Sequence, residues 1–498
     1  MFAFSITSFI AAASTVYLIF TYFRAYRRLR AFKGPLLASF SEVWLFKESI
    51  YKRMHTGQRE ALSKYGSPAR IGPNLLVTDD PELLRHMSAP RSNWVRGNWY
   101  EDYSFGGTTP NIFSETNEKK HARLRTKLGP AYSGKGVDNL ESSIVAQILK
   151  MRGLLTREYA SKGKAVDMIR LSEFFTLDVL SEIAFGQAFG YLDANEDLYD
   201  YITTGDAFIP IFELTNNHTW LRKIIWSPWV AALLAPKETD KVGQGRIISI
   251  AHQAVAERYK LAEAGKEPKA DMLGSFIHHG LSQRESQSEA HIQILAGSES
   301  TSTVFRMTML YIVTNPRIYH ALQLEIDAAI AAGSISHVIT DVEARQLPYL
   351  QAVVWEGLRK TPPLFGLQPK VAPPGGETVN GVFFPGGTQV AICDAALTHR
   401  QDIFGEDAEI FRPERWLEAD ETTRSKYLST VELIFGSGRF GCLGRNIGLL
   451  ELNKVFVELL RHFDWAIVNP AKPMSRNVAN GVWLQQGMNM VVTERKQS

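Results

Sequence analysis

Between Phe435 and Gly444 the chain sets four glycines around one cysteine, Phe-Gly-Ser-Gly-Arg-Phe-Gly-Cys-Leu-Gly. Glycine at that density permits positive φ and lets the backbone come close to something flat. The residues that follow, with Ile447, Leu450, Leu452, Val455, Phe456 and Leu459 apolar, carry the spacing of a helix with one greasy face. Cys442 therefore stands just before a helix amino terminus, where free N–H groups and the helix dipole favour a thiolate. A thiolate so placed can ligate a metal. The only other cysteine in the 498 residues, Cys393 in Val390-Ala-Ile-Cys, reads as a core residue. Two cysteines exclude a disulfide framework and a multi-cysteine zinc site.

The rest of the chain reads as mainly α with small β-sheets, an α+β body without repeats or low-complexity tracts. Helical periodicity is clear over Lys119–Tyr132, Leu140–Ala160, Leu171–Phe185, Ile247–Ala264 and Glu289–Val313, the last closed by Asn315-Pro316. Short strand patterns occur at Ala69–Ile71, Leu75–Val77, Thr388–Ile392 and Met488–Val492, and a Pro- and Gly-rich region runs from Pro362 to Trp416. Hydrophobic residues make up 45% and charged residues 21%, which excludes disorder and a many-span membrane protein. Net charge is only +3, and the first 41 residues hold five cations (Arg24, Arg27, Arg28, Arg30, Lys33) and no acid. The basic character is local, so charge gives no support for nucleic-acid binding.

Met1 to Phe23 carries no charge. As a helix, ~20 residues span about 30 Å, the thickness of a bilayer core. With cations only after the segment, the expectation is a transmembrane anchor over 1–23 with the body on the cytosolic side. Residues 24–40 then form a basic flank and a Gly34-Pro35 hinge, and 41–498 the catalytic body.

Three further motifs bear on chemistry. Ala296-Gly-Ser-Glu-Ser-Thr301 puts glycine and hydroxyl residues in the middle of a helix, where they compete for backbone groups and can open a groove. Glu356 and Arg359 share one face of a largely apolar helix, which predicts a buried ion pair. His121 and Arg125 place two donors one turn apart.

The ordered set resembles the cytochrome P450 family of haem-thiolate monooxygenases. Arg70-Ile-Gly-Pro-Asn74, His399-Arg400 and Phe411–Trp416 look most like its fungal microsomal members. The family's loop reads Phe-Gly-x-Gly-x-Arg-x-Cys-x-Gly. This chain matches at Phe435, Gly436, Gly438, Cys442 and Gly444 and departs at Phe440, with Arg439 one place before the family's arginine. The resemblance implies the P450 fold and haem b with Cys442 as axial iron ligand, the thiolate favouring O–O cleavage. It implies Phe435 against the sulfur side of the ring, and His121, Arg125, Lys370 and Arg439 as further cofactor contacts. It makes Glu299, Ser300 and Thr301 the catalytic set that hydrogen-bonds dioxygen and relays protons. Arg415 joins Glu356 and Arg359 in a structural lock.

The implied reaction inserts one atom of O2 into a small but bulky apolar substrate, in fungal terpenoid, polyketide or alkaloid biosynthesis. By family position the pocket walls are 99–113, 208–212, Gln293, 364–367 and 482–484. The chain has no dinucleotide-binding loop, so electrons come from a partner, by resemblance NADPH–cytochrome P450 reductase, with cytochrome b5 as a second donor. The implied location is the endoplasmic reticulum membrane. The rival readings are a reductase-independent haem-thiolate isomerase or dehydratase, and a non-catalytic haem- or ligand-binding protein.

Overall fold

Helix signals in the sequence are matched by helices in the computed structural model, with ends set by caps that the periodicity does not reveal. The structure describes residues 2–496 except 105–108, 135–136, 138–139, 228 and 231–234. The helix expected from Glu289 starts at Gln283 and runs 31 residues to Val313, because Ser282 and Glu285 form a capping box. Met168–Phe185 starts three residues before its apolar run, capped by Asp167, and stops at Gly186 with φ +71°. Leu140–Leu154 passes into a π-turn at Leu155–Ala160. The Pro/Gly-rich region after Pro362 is not structureless. It holds the strands Lys370–Val371, Glu377–Val379, Val382–Phe384 and Gln389–Ile392.

Three helices build the centre. Phe175 of Met168–Phe185, Phe305 of Gln283–Val313 and Phe456 of Arg445–His462 meet edge to face, with centroids 6.0 and 5.9 Å apart. Gly448 brings the last two helices together, since a Cβ there would lie 3.3 Å from the Thr301 hydroxyl. The helix Pro348–Lys360 closes on the same long helix at Gly357, where a Cβ would strike Thr308.

A five-stranded sheet flanks this helical body. Leu75–Thr78 runs parallel to Gln389–Ile392, which pairs with Lys370–Val371, which pairs in turn with Val95–Arg96. In that last pair Arg96 stands directly opposite Lys370. Register partners share a sheet face, and like charges directly opposite each other are destabilising. That local conflict is resolved only at the site described below.

The first helix runs from Phe2 to Arg28, 27 residues with Arg27 and Arg28 in its last turn; Met1 lies outside the described residues. Among the described residues no helix is long and apolar enough to cross a membrane, which differs from the expected span. Serines, threonines and alanines interrupt the apolar surface of this helix. The flank after it is docked onto the body. Arg28 donates to Asn74 Oδ1 at 2.8 Å, and Leu29 and Phe32 are buried beside Trp94 and Phe384. Gly34 fits where any Cβ would strike the Arg70 carbonyl, which holds the Gly34-Pro35 turn firmly against the sheet.

Candidate active site

The cysteine loop is shaped by the two glycines that need unusual backbone. Gly436 has φ +70° and Gly438 φ +53°, and a Cβ on Gly438 would strike the Ser88 carbonyl. The loop closes with the Cys442 amide donating to the Phe435 carbonyl at 2.6 Å. Cys442 is exposed, three residues before the helix Arg445–His462. Burial pushes its thiol up from the ordinary value. The amides of Gly444 and Arg445 at the helix start, and the Arg125 and Arg445 guanidiniums, pull the other way.

The 3-10 turn Gly438–Phe440 decides which side chains face inward. Arg439 is turned out: it donates to the carbonyls of Ala89, Ser92 and Trp94 and pairs with Glu118 at 3.1 Å. Its hydrogen bonds go to the segment that follows the helix Pro81–Ser88. Phe440 is turned in and becomes the floor of a cation cluster. Lys370 Nζ lies 3.9 Å from its ring centroid and Arg96 4.9 Å, with the His121 ring at 5.5 Å. Arg125 reaches the Gly441 carbonyl at 2.7 Å.

These cations are poorly answered by the chain. Arg96 is buried and donates one nitrogen to the Ile112 carbonyl at 2.7 Å, but its Nε has no partner among the described residues. His121 Nε2 likewise has none. Among the described residues the Lys370 ammonium donates to the Tyr100 hydroxyl, at 2.9 Å. Burial, reinforced by neighbouring arginines, drives the Lys370 ammonium well below its usual value and His121 to about 3. Burial, helped by the Arg125 charge, carries Arg96 down to about 10 against Tyr100, Glu118 and Glu115. Such a cluster is costly unless anions meet it. A group that carries a metal and carboxylates, as haem does, would be held by Cys442 through the metal and by Arg96, His121, Arg125 and Lys370 through the carboxylates. Sequence reasoning missed Arg96, because only its register opposite Lys370 reveals it.

The long helix supplies the other wall. Ala296 is exposed mid-helix, and Ser300 follows one turn later with its hydroxyl donating to the Ala296 carbonyl at 2.7 Å. Thr301 is turned toward Gly448 of the cysteine helix. Glu299 is engaged within its own helix. Its carboxylate pairs with the buried Arg306 and accepts from Thr303 at 3.0 Å.

Glu356 is fully answered. It accepts from Arg359 at 2.8 and 2.7 Å, Arg415 at 3.0 Å, Trp416 Nε1 at 2.9 Å and the Arg412 amide at 2.8 Å. Burial pushes its carboxyl up, but these donors hold it below the usual value. The two arginines go on to backbone carbonyls of Thr398, Phe404, Asp407, Ala408 and Ile410. Trp416 and these carbonyls were not foreseen as members of the lock.

Trp99, Tyr103, Phe113 and Phe212 form one ring cluster, with Tyr103–Phe113 at 4.8 Å and Tyr103–Phe212 at 5.0 Å. Phe365 and Trp483 meet at 4.9 Å. Of the expected wall, 105–108 lie outside the described residues. Gln293 faces the Met272 sulfur at 3.7 Å.

Residues 82–491 match the family described as Cytochrome P450. The cytochrome P450 monooxygenase ABA1 of Pyricularia oryzae is 41% identical over 98% of this chain and 96% of its own length. The cytochrome P450 monooxygenase aba1 of Botryotinia fuckeliana is 39% identical over 94% and 92%. The pisatin demethylase of Fusarium vanettenii is 28% identical over 89% and 85%. The family is one of haem-thiolate enzymes served by redox partners. The geometry around Cys442 and these likenesses agree: the chain belongs to the cytochrome P450 family and is a monooxygenase.

Proposed function

We propose that this chain binds haem b through Cys442 and uses it to insert one oxygen atom from O2 into a bulky apolar substrate. The single observation that carries this reading is one exposed thiol at a helix start in the same loop as Phe440, around which Arg96 and His121 keep buried nitrogens without a partner among the described residues and Lys370 meets only a phenol. Those groups, with Arg125, would hold the ring's carboxylates, and Phe435 would lie on the sulfur side. When bound, haem supplies the oxidising chemistry. The chain's own part is to exclude water, to orient substrate between the Trp99–Phe212 rings and the Phe365–Trp483 pair, and to hold a proton at Ser300 Oγ. Thr301 is turned to Gly448 while Ser300 sits one turn after the exposed Ala296, which favours Ser300 as the alcohol of the relay, and Glu299 would be its acid once released from Arg306.

The aromatic walls support a terpenoid, polyketide or alkaloid substrate of fungal secondary metabolism. One relative is named for acting on pisatin. Electrons would come from NADPH–cytochrome P450 reductase, with cytochrome b5 as a second donor. The body 41–498 would sit on the cytosolic face of the endoplasmic reticulum membrane, held by the first helix. What supports that anchor is its 27 residues, the absence of charge before Arg24, and the cations that follow. Extraction of membranes with alkaline carbonate tests it: retention in the pellet is expected, and release overturns the anchor.

The central test is the carbon monoxide difference spectrum of the reduced full-length protein beside Cys442→Ala. A red-shifted Soret band that requires Cys442 is expected. Folded protein without haem, or an unshifted band, overturns thiolate ligation.

A further inference from the structure

The hairpin of strands Arg476–Asn480 and Val482–Gln486 joins the aromatic walls to the long helix. At its tip Gly481 has φ +78°, and a Cβ there would strike the Glu213 carboxylate of the helix Tyr201–Asn217. The Gly481 carbonyl accepts the Phe365 amide at 2.7 Å, and Trp483 Nε1 donates to the Pro362 carbonyl at 3.1 Å. Trp483 is thereby held edge-on against Phe365. Gln485 lies two residues further along the same strand, so its side chain shares a strand face with that of Trp483.

Gln485 is buried. Its amide nitrogen donates to Asn477 Oδ1, its register partner, at 2.9 Å and to the Met307 sulfur at 3.0 Å. Its amide oxygen accepts from Arg306 Nε at 2.6 Å. Arg306 is buried in the long helix. One of its terminal nitrogens donates to Ser302 Oγ at 3.0 Å; the other donates to Thr303 Oγ1 at 2.9 Å and pairs with Glu299. A guanidinium is a rigid planar fork, so the bond at Nε sets where both terminal nitrogens point. Glu173, on the neighbouring helix, stands 3.6 Å from the same fork, outside hydrogen-bond range. As Gln485 holds it, the fork bonds Glu299 and not Glu173.

We propose that Gln485 is a positioning residue for the oxygenation: by holding Arg306 on Glu299 it keeps that carboxylate out of the relay while the substrate space is empty. A substrate seated against Trp483 shifts the hairpin, and Gln485 moves with its strand. Arg306 then turns off Glu299 toward Glu173, the next carboxylate within reach, and Glu299 is freed for the relay. One strand and one guanidinium thus link the substrate wall to the acid. This rests on the monooxygenase reading, which makes Glu299 the acid.

The test uses the full-length haem-loaded protein with two variants. Gln485→Met fills the same space but gives Arg306 Nε only a weak acceptor, and Gln485→Glu keeps a strong one. NADPH-driven oxygen uptake with reductase and no added substrate is expected to rise roughly twofold or more in Gln485→Met and to rise less in Gln485→Glu. Adding Glu299→Gln is expected to cancel the rise, because both residues act on one step. A crystal structure of Gln485→Met reads the guanidinium directly, and Arg306 off Glu299 is expected. If Gln485→Met does not fold, Asn477→Ala, which leaves Gln485 in place but unties it from the hairpin, carries the same expectations.

A rise below about twofold overturns the proposal, as does an equal rise in Gln485→Glu, a rise that survives Glu299→Gln, or Arg306 still on Glu299 in the structure of the variant. A wild type without the shifted carbon monoxide band overturns the monooxygenase reading instead, and the crystal structure still decides whether Gln485 holds Arg306 on Glu299.

Discussion

Two buried ionic clusters flank the cysteine loop, and they differ in one respect. Around Glu356 every donor of Arg359 and Arg415 finds an oxygen of the chain. Around Phe440, Arg96 and His121 keep nitrogens with no partner and Lys370 leans on a phenol. A buried charge without a partner is among the most costly features a fold can carry. The closed cluster is therefore structure, and the open one is a receptor for anionic groups that the chain does not supply.

The comparison breaks most visibly at the lock. Glu356→Ala strands two guanidiniums in the core, and urea unfolding is expected to show a loss of about 3–5 kcal/mol. A loss below about 1 kcal/mol would mean the lock is not one. In the open cluster the sign reverses. Arg96→Gln removes an unanswered charge, so haem-free protein should be at least as stable as wild type. Its haem affinity should fall roughly tenfold to a hundredfold, the worth of one charged hydrogen bond, read by haem titration.

Arg439 sharpens the division because it touches Phe440 yet belongs to the answered kind. Arg439→Gln should cost about 1–2 kcal/mol of stability and leave haem affinity within a factor of about three. A large loss of affinity would return Arg439 to the cofactor.

Asp394 adds an effect that depends on pH. It borders a cavity of about 70 Å³ shared with Arg96, Lys370 and Phe440, yet its Oδ1 has no partner among the described residues and burial pushes it up to about 8. The folded protein keeps a proton that the unfolded chain, with an ordinary value of about 3.9, has lost. Stability should therefore fall as pH rises between about 4 and 8, and the cost is complete above that window. Asp394→Asn is expected to flatten that slope and to stabilise by roughly 1 kcal/mol or more at pH 8. A slope identical to wild type would show that Asp394 is already paired.

Much of this was legible in the residues. Periodicity placed the long helix, and glycine spacing placed the cysteine loop. The apolar setting of Glu356 and Arg359 predicted that their pair is buried, as it is. Two things were not legible. Ends moved where caps such as Ser282 and Asp167 override periodicity. The protein partners of a side chain stayed hidden where a local turn sets orientation, as at Arg439, or where a distant residue pairs with it, as Arg306 does with Glu299.

What the sequence by itself determined is whatever depends on spacing along one element: the helices, the glycine loop and the thiol at a helix start. Those follow from backbone geometry and the 3.6-residue period, which act over a few residues. Only the tertiary structure decided that Arg96 stands opposite Lys370, that Phe440 faces inward in place of an arginine, and that Arg306 joins Glu173 to Glu299. Those depend on register and on contacts between residues far apart in the chain, and burial is what turns such a meeting of charges into chemistry.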